Sequence, residues 1–398
     1  MKLTKKLIKE IESNFKSFII ENDLGIDLMK LEVGEDFVNV EFPREQEDIS
    51  FNLSLFLIYL KEINSIEFSE SRIATNNITQ IPVFITHQID SIFESIKFTV
   101  EKENEYSIRL IENPFFIGLA NVKFGYYNKY FPPCSTYYGI EVEYKDLSKK
   151  LSRSTEEKII KSFLFEFSHI TRVSIEITSL HDVDIDYYSG NEEPEVKTIK
   201  MSELKEFNES MDLYLKAINS FDKEIQFLYY YKIIEYFSPI IAQKNAYEVL
   251  LRKIDSIKYK SIQNEDLNKI FEISDSYRKS KTDSELCKTV LSNSVDVIDL
   301  FFLLSEHTRK NICKNTSIDP KTIKYGMPED KIDLIFHQLG KIFYSTRNSI
   351  VHAKSNYNKD GFECTLDDFD GLNEFLNKAT YQIINWHSNL PKHIQNNK

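Results

Sequence analysis

Hydrophobic and polar residues alternate along several stretches of the first half of the chain. The clearest stretches are residues 38–42, 98–100, 106–110, 140–144 and 173–177. A period of two is typical of half-buried antiparallel strands, because successive side chains of a strand point to opposite faces of its sheet. The charged residues 101–105 lie between two of these stretches and predict a hairpin turn.

Apolar residues at helical spacing predict two helices among these strands. Leu7, Ile11, Phe15 and Phe18 form one apolar stripe near the start of the chain, and residues 155–168 form another amphipathic segment. The first half of the chain, residues 1–200, is therefore predicted to be an α+β domain.

Helical periodicity dominates the second half. Residues 187–202 contain Gly190, Pro194 and three glutamates with few apolar residues, which is typical of a linker. The helices predicted beyond it lie near residues 203–219, 222–243, 246–258, 265–279, 293–313, 329–355 and 366–387. Thr365, with Asp367 and Asp368, supplies the cap and the negative charge that a helix N-terminus favours. Residues 201–398 are therefore predicted to be an all-helical domain.

Composition narrows the class of protein. Gly and Pro together account for 20 of 398 residues, which excludes a fibrous or low-complexity chain. Apolar runs are far shorter than the roughly 20 residues of a membrane-spanning helix, and Glu10 and Glu12 interrupt the region where a signal peptide would be apolar. The four cysteines are scattered without a CxxC pair, which argues against a disulfide framework or a zinc site. We therefore expect a cytoplasmic protein with no membrane partner and with buried or incidental thiols.

The net charge of −12 is distributed unevenly. Residues 1–200 contain 23 Lys/Arg and 34 Asp/Glu, a balance of −11, whereas residues 201–398 contain 27 and 28, a balance of −1. The second half is therefore not barred electrostatically from a phosphate-bearing ligand. It does lack the basic patch that is typical of nonspecific nucleic-acid binding.

The segment 339–355 carries the most informative combination of side chains. Wound as a helix, it places its apolar positions on one core-facing stripe: Leu339, Ile342, Phe343, Thr346, Ile350 and Ala353. Asn348 and His352 lie four residues apart on the opposite face, and Arg347 lies about 100° to one side, with a side chain long enough to reach them. Three further side chains fall near this face: Tyr344, Ser345 and Ser355.

A guanidinium, an amide and an imidazole on one surface suit cleavage of RNA without a metal. His352 can transfer protons near neutral pH. Arg347 can donate two hydrogen bonds to phosphate oxygens and stabilise the charge that develops on phosphorus. Asn348 can orient the phosphate or the imidazole. We therefore predict Arg347, Asn348 and His352 as catalytic residues, with no metal and no cofactor.

The segment Arg347–His352 resembles the Arg-(four to six residues)-His motif of the HEPN superfamily, in which a polar residue often follows the arginine. Residues 227–237 are similar to the early helix of that family, which carries a glutamate, here Glu235, among apolar and aromatic residues. A charged stretch separates the two segments, as in larger members. A large N-terminal domain followed by a C-terminal HEPN domain is also the layout of ApeA-type antiphage defence proteins.

This resemblance covers residues 203–390 and implies an HEPN-type helical bundle that acts as a metal-independent endoribonuclease. It implies a homodimer through the 329–355 helix, with the active site where the Arg/His helices of the two chains meet. The substrate would be RNA, and tRNA is one candidate. The chain would then be a toxin-like antiphage effector, and residues 1–200 its recognition or regulatory domain for a trigger ligand or a phage protein. Glu235, Tyr344 and Lys354 are predicted to support the site.

Simpler interpretations stay open for each of these residues, because an Arg-His spacing alone is weakly specific. His352 is alternatively a core histidine or an exposed one without a role, Glu235 the partner in a boundary ion pair, and Lys354 a solvated lysine. Tyr230 and Tyr231 fall on the apolar face of their helix and are predicted to lie in the core. The helical domain as a whole is alternatively a non-catalytic dimerisation module that binds nucleotide, RNA or protein.

Other combinations of residues give weaker evidence of a functional site. His181, Asp182, Asp184 and Asp186 could place three carboxylates on one strand face for a hard cation, although a solvated strand or loop is the simpler interpretation. The remaining histidines have no partner at ligand spacing: His87, His169, His307, His337, His387 and His393. The P-loop, dinucleotide-binding, zinc-protease and α/β-hydrolase motifs are missing from the sequence.

Overall fold

A computed structural model describes residues 5–25, 29–85, 96–173, 175–181, 197–201, 203–257, 265–266, 268–270, 272, 282–352 and 361–395. The chain divides into two compact units, residues 1–204 and 205–398. The first unit combines helices with sheets, and the described part of the second is built of helices and loops. The coarse prediction of an α/β half followed by a helical half is therefore confirmed. Within the described ranges, no helix is both long and apolar enough to cross a membrane.

Two sheets organise the described part of the first unit. An antiparallel meander contains β1 (Lys30–Val33), β2 (Phe37–Glu41) and β3 (Ile49–Asn52). The larger sheet contains β4 (Ile73–Ala74), β5 (Ile78–Ile85), β6 (Ile96–Lys102), β7 (Tyr106–Glu112), β8 (Tyr138–Tyr144), β9 (Ile175–Ile177) and β10 (Lys197–Met201). Its order is β10-β6-β7-β8-β5-β4, and β9 also pairs with β5. The predicted hairpin is confirmed, since β6 and β7 pair antiparallel with Val100 opposite Ile108.

Strand β10 corrects the predicted linker at 187–202. Residues 197–201 pair in parallel with β6 and form an edge of the larger sheet. Ile199 and Met201 are half-buried while Thr198 and Lys200 are exposed, so the segment alternates as a strand does. An alternation this short, next to a charged and proline-containing stretch, is too weak a signal to predict a strand from the sequence. Residues 187–196 and 202 of the predicted linker lie outside the described residues.

The core of the first unit is strongly aromatic. Its helices are α1 (Lys5–Glu21), α2 (Leu53–Glu62), α3 (Phe115–Phe124) and α4 (Arg153–Thr171). Phe115 of α3 is completely buried and packs against Phe15, Phe51 and Phe56 at ring-centroid distances of 6.3, 5.4 and 5.3 Å. The predicted stripe of α1 and the predicted helix at 155–168 are confirmed, the first by the burial of Ile11, Phe15 and Phe18.

The described helices of the second unit are α5 (Glu209–Asn219), α6 (Lys223–Ile257), α7 (Asp283–Ser294), α8 (Val297–Leu300), α9 (Glu306–Thr316), α10 (Glu329–Val351), α11 (Phe369–Ser388) and α12 (Lys392–Gln395). The predicted pair 222–243 and 246–258 is one continuous helix, α6, which tolerates Pro239 in its interior. The Lys244–Glu248 ion pair spans the predicted break. Only a few residues of the predicted helix 265–279 are described.

The predicted helix 293–313 is wrong. Two polar residues divide this region: Asp296 caps α8 by accepting hydrogen bonds from Ile298 and Asp299, and Ser305 caps α9 by accepting one from Thr308. A side chain that accepts hydrogen bonds from the first free N–H groups marks the start of a helix. Two such caps therefore begin separate helices in a stretch whose apolar periodicity predicts a single one. At the last long helix the predicted cap is present, as Thr365 and Asp368 form a capping box ahead of α11.

Helix α10 lies close to its neighbours. A Cβ atom added to Gly340 would lie 2.7 Å from the carbonyl oxygen of Ser284 in α7, so only glycine permits this approach. Phe343 of α10 is fully buried and contacts Phe227 of α6 and Phe375 of α11 edge-on. These contacts fix the helix that carries the predicted catalytic residues.

All four cysteines are free thiols, as expected. Cys134, Cys287 and Cys313 are buried, and Cys364 is half-buried.

Candidate functional site

The C-terminal end of α10 presents the predicted site. The apolar stripe of this helix is confirmed at Leu339, Ile342, Phe343 and Thr346, all of which are buried. Ser345 was predicted near the polar face, and this is wrong, because it is 4% exposed. It lies two turns after Gln338, whose side chain accepts a hydrogen bond from Asn315 of α9, so the packing of α9 extends the buried side of α10 beyond its apolar stripe.

The predicted helix 329–355 is too long, since α10 ends at Val351. Its last turn contains Asn348, Ser349, Ile350 and Val351, all of them weaker helix formers than alanine, leucine or lysine. His352 is the C-terminal cap and is exposed, and its N–H donates to the carbonyl oxygen of Asn348 at 2.9 Å. His352 therefore lies one turn beyond Asn348, as predicted, but leaves the helical conformation (φ −106°, ψ 31°).

Arg347 and Asn348 are in direct contact. A guanidinium N–H of Arg347 (Nη1) donates to the side-chain oxygen of Asn348 at 3.0 Å. The other terminal nitrogen, Nη2, lies 4.0 Å from Oε1 of Glu235 in α6. The side chains of Arg347 and Glu235 are 31% and 47% exposed, so the cation is anchored on two sides and still reaches solvent.

The structure thus brings together three predicted residues, Arg347, Asn348 and Glu235. Tyr344 is half-buried one turn before Asn348, and among the described residues no hydrogen bond or ion pair joins it to these three. Lys354, Ala353 and Ser355 lie outside the described residues. The prediction that Tyr230 and Tyr231 belong to the core is confirmed, with both at most 2% exposed.

The electrostatics around Glu235 are mixed. Burial raises the pKa of the Glu235 carboxyl above its ordinary value, nearby Arg347 lowers it, and Asp283 raises it again. Glu235 therefore holds its charge less readily than a solvated glutamate. This opposes a tight ion pair with Arg347 and leaves the guanidinium available to another anion.

A cleft of about 240 Å³ opens beside Glu235, between α6 and α7. It is lined by Tyr231, Ile234, Glu235, Ser238, Pro239, Asp283, Leu286 and Cys287. Sequence reasoning named Glu235 but missed the cleft, because its α7 wall lies in a stretch to which no helix was assigned.

A second cleft, of about 220 Å³, lies on the α9 side of α10 and contains a histidine that sequence reasoning left without a partner. His307 Nδ1 lies 3.0 Å from Oδ2 of Asp368, and Nε2 lies 3.2 Å from the side-chain nitrogen of Asn311. Burial alone would raise the pKa of the Asp368 carboxyl, but hydrogen bonds from Ser305, Thr365 and His307 outweigh it and lower that pKa to about 2. Asp368 was predicted as a helix cap, and nothing in the spacing of the two residues signals their contact.

Of the acidic segment at 181–186, only His181 lies within the described residues. His181 lies beside Glu70, with 3.7 Å between Nδ1 and Oε2, and its ring packs against Tyr126. Asp182, Asp184 and Asp186 are outside the described residues. Among the described residues, no group of three or more His, Cys, Asp or Glu side chains is arranged to hold a metal ion.

Comparisons of the chain with known protein families, with curated proteins and with solved structures found no match.

Proposed function

We propose that the second unit is a metal-independent endoribonuclease of the HEPN type. The observation that carries this proposal is the anchored guanidinium of Arg347, held 3.0 Å from Asn348 while about a third of its side chain reaches solvent, at the same helix end as the exposed His352. A fixed cation that costs no reorganisation is what a developing negative charge on phosphorus requires. Arginine also offers a fork of donors to two phosphate oxygens.

The proposed reaction is an attack of the ribose 2′-oxygen on the adjacent phosphorus. A base removes the 2′-hydroxyl proton, the P–O5′ bond breaks, and an acid protonates the departing 5′-oxygen. The products are a 2′,3′-cyclic phosphate and a 5′-hydroxyl end. Imidazole serves either proton transfer near neutral pH.

Two proton transfers call for two groups, and each chain supplies one histidine, His352, at the end of the helix that carries Arg347. We therefore propose a homodimer in which His352 acts as base in one chain and as acid in the other. The end of α10 is accessible to a partner chain, since Val351 is 50% exposed and His352 is exposed. Asn348 would keep the guanidinium oriented, and Glu235 would limit its movement from the opposite side.

The test compares cleavage of end-labelled total RNA, in the presence of EDTA, by the wild-type chain and by Arg347→Ala, Asn348→Ala and His352→Ala. Arg309→Ala and His337→Ala are matched controls, since they remove the same side chains elsewhere in the unit. We expect the first three variants to lose most cleavage and the controls to keep it. Undiminished cleavage by an Arg347→Ala/His352→Ala double variant would contradict the proposed chemistry.

A linked dimer tests whether the site is shared. One wild-type chain is joined to one Arg347→Ala/His352→Ala chain. If each chain held a complete site, the linked dimer would keep half of the wild-type rate. A shared site predicts a rate far below half.

A non-catalytic function is the second candidate, and the charge distribution favours it. Residues 201–398 have a balance of only −1, and Glu235 partly offsets Arg347. RNA capture usually draws on more positive surface. A module that binds nucleotide, RNA or protein would retain RNA in a filter-binding assay without cutting it, whereas the nuclease would do both.

We also propose that the nuclease serves as an antiphage effector, with residues 1–200 as its recognition or regulatory domain. Full-length chain expressed in bacteria would then inhibit growth on phage infection, and His352→Ala would not. Growth inhibition that is identical for both chains would contradict this role.

A further inference from the structure

The cleft between α6 and α7 adjoins the Arg347 site through one shared residue. Glu235 lies within 4.0 Å of Arg347 and also lines the cleft, so a molecule whose phosphate meets the guanidinium has this cleft beside it. Ile234, Leu286 and the ring of Pro239 supply apolar wall. The cleft is therefore suited to a flat group with a polar edge.

Tyr231 contributes its side chain to the cleft. The side chain is 2% exposed and lines the cleft, and its ring packs against Phe227 at 6.2 Å. Within the described residues, no hydrogen bond reaches this hydroxyl. A tyrosine hydroxyl beside apolar surroundings favours a hydrogen-bond partner, so this group can donate to an acceptor bound in the cleft.

The other polar groups of the cleft are mostly acceptors. Glu235 and Asp283 carry carboxylates that accept no hydrogen bond from the part of the chain that is described. Pro239 lacks an N–H, so the carbonyl oxygen of Glu235, four residues earlier, loses its usual helical donor. The Ser238 hydroxyl is already used, since it donates to the carbonyl oxygen of Ile234 at 2.9 Å.

We propose that this cleft binds a guanine base of the RNA substrate, an inference that rests on the proposed nuclease function. The Watson–Crick edge of guanine offers one acceptor, O6, followed by two donors, N1–H and the 2-amino group. O6 meets the hydroxyl of Tyr231, and the two donors meet the carboxylate of Glu235. Adenine fails this match, because its unprotonated N1 would face the carboxylate, and uracil has no amino group to offer.

Nucleoside binding tests the inference without requiring catalysis. Isothermal titration of the full-length chain uses guanosine, inosine, adenosine and uridine, none of which carries a phosphate for Arg347. We expect guanosine to bind most tightly, by at least about tenfold over adenosine, with inosine weakened because it lacks the 2-amino group. Equal affinity for the four nucleosides, or no saturable binding of guanosine at millimolar concentration, would overturn the proposal.

Two variants locate the binding. Glu235→Gln keeps the shape but replaces one acceptor by a donor, and Tyr231→Phe removes only the hydroxyl, so each should reduce guanosine affinity by about tenfold. Glu248→Gln, about 20 Å along the same helix, and Tyr229→Phe are the matched controls. An unchanged guanosine affinity in both cleft variants would overturn the proposal. If Glu235→Gln does not fold, the guanosine affinity of Tyr231→Phe alone provides the test.

Cleavage of oligonucleotides that differ in one base separates this inference from the function on which it rests. Guanosine binding without any RNA cleavage would support the cleft and contradict the nuclease. Cleavage with no preference for guanosine would support the nuclease and overturn the guanine cleft.

Discussion

Replacing Arg347 by alanine tests whether this residue serves the chemistry or the fold. Two unit charges 4.0 Å apart attract each other by about 1 kcal/mol in water. Measured ion pairs with partly exposed partners contribute about 0–1 kcal/mol, and here the side chains are 31% and 47% exposed. The hydrogen bond to Asn348 is also partly exposed. We therefore expect Arg347→Ala to lower the free energy of unfolding by about 1 kcal/mol at most.

The effect on cleavage should be much larger. Removing one preorganised donor from a developing oxyanion typically costs a factor of about 10² to 10³ in rate, or roughly 3–4 kcal/mol. Arg347→Ala should therefore lose at least about three times as much free energy in catalysis as in stability. Arg309→Ala, which removes a guanidinium stacked on Phe302, should leave the cleavage rate unchanged.

The assay pairs urea unfolding with initial rates of RNA cleavage, both measured on the same preparations. A cleavage rate within about threefold of wild type, together with a fall of more than about 3 kcal/mol in the unfolding free energy, would contradict a catalytic role of Arg347. That result would make Arg347 a residue of the fold.

Three further predictions concern stability and proton transfer. Burial raises and hydrogen bonds lower the pKa of Asp368, with a net value of about 2 against an ordinary 3.8. Its carboxylate should therefore add about 2 kcal/mol of stability above pH 4 and lose it as pH falls through 3.8 towards 2. Urea unfolding of wild type and Asp368→Asn should accordingly converge near pH 2, and a gap unchanged from neutral pH would contradict this. Gly340→Val should lower the unfolding free energy by about 1–3 kcal/mol, because its Cβ would meet the Ser284 carbonyl at 2.7 Å, and a melting temperature equal to wild type would argue against that contact. His352→Ala should keep wild-type stability within about 0.5 kcal/mol, because the side chain is exposed, and regain cleavage when imidazole is added. Failure of imidazole to restore any cleavage would count against proton transfer by His352.

Elements with a strong local periodicity could be predicted from the sequence. The stripe of α1, the β6–β7 hairpin and the core positions of Tyr230 and Tyr231 all depend on spacing within a few residues. The same applies to the buried stripe of α10 and to the Thr365 cap. Contact between Arg347 and Asn348 also follows from their adjacency and from the length of the arginine side chain.

Features that depend on distant parts of the chain could not be predicted. The pairing of β10 with β6, and of His307 with Asp368, joins residues far apart in sequence with no local pattern to indicate it. Ser345 is buried although its position on the helix predicts the polar face, and the caps at Asp296 and Ser305 fall inside a periodicity that predicts one continuous helix. The cleft that Tyr231 and Glu235 line becomes visible only once α6 and α7 are packed together.

The chemistry of the RNA ends tests the central claim most directly. Wild-type chain is incubated with RNA in EDTA, and the new ends are mapped by methods that distinguish cyclic phosphates from free hydroxyls. The account predicts 2′,3′-cyclic phosphate and 5′-hydroxyl ends that are lost in Arg347→Ala and in His352→Ala. Ends with a 3′-hydroxyl and a 5′-phosphate, or ends that persist unchanged in both variants, would contradict it.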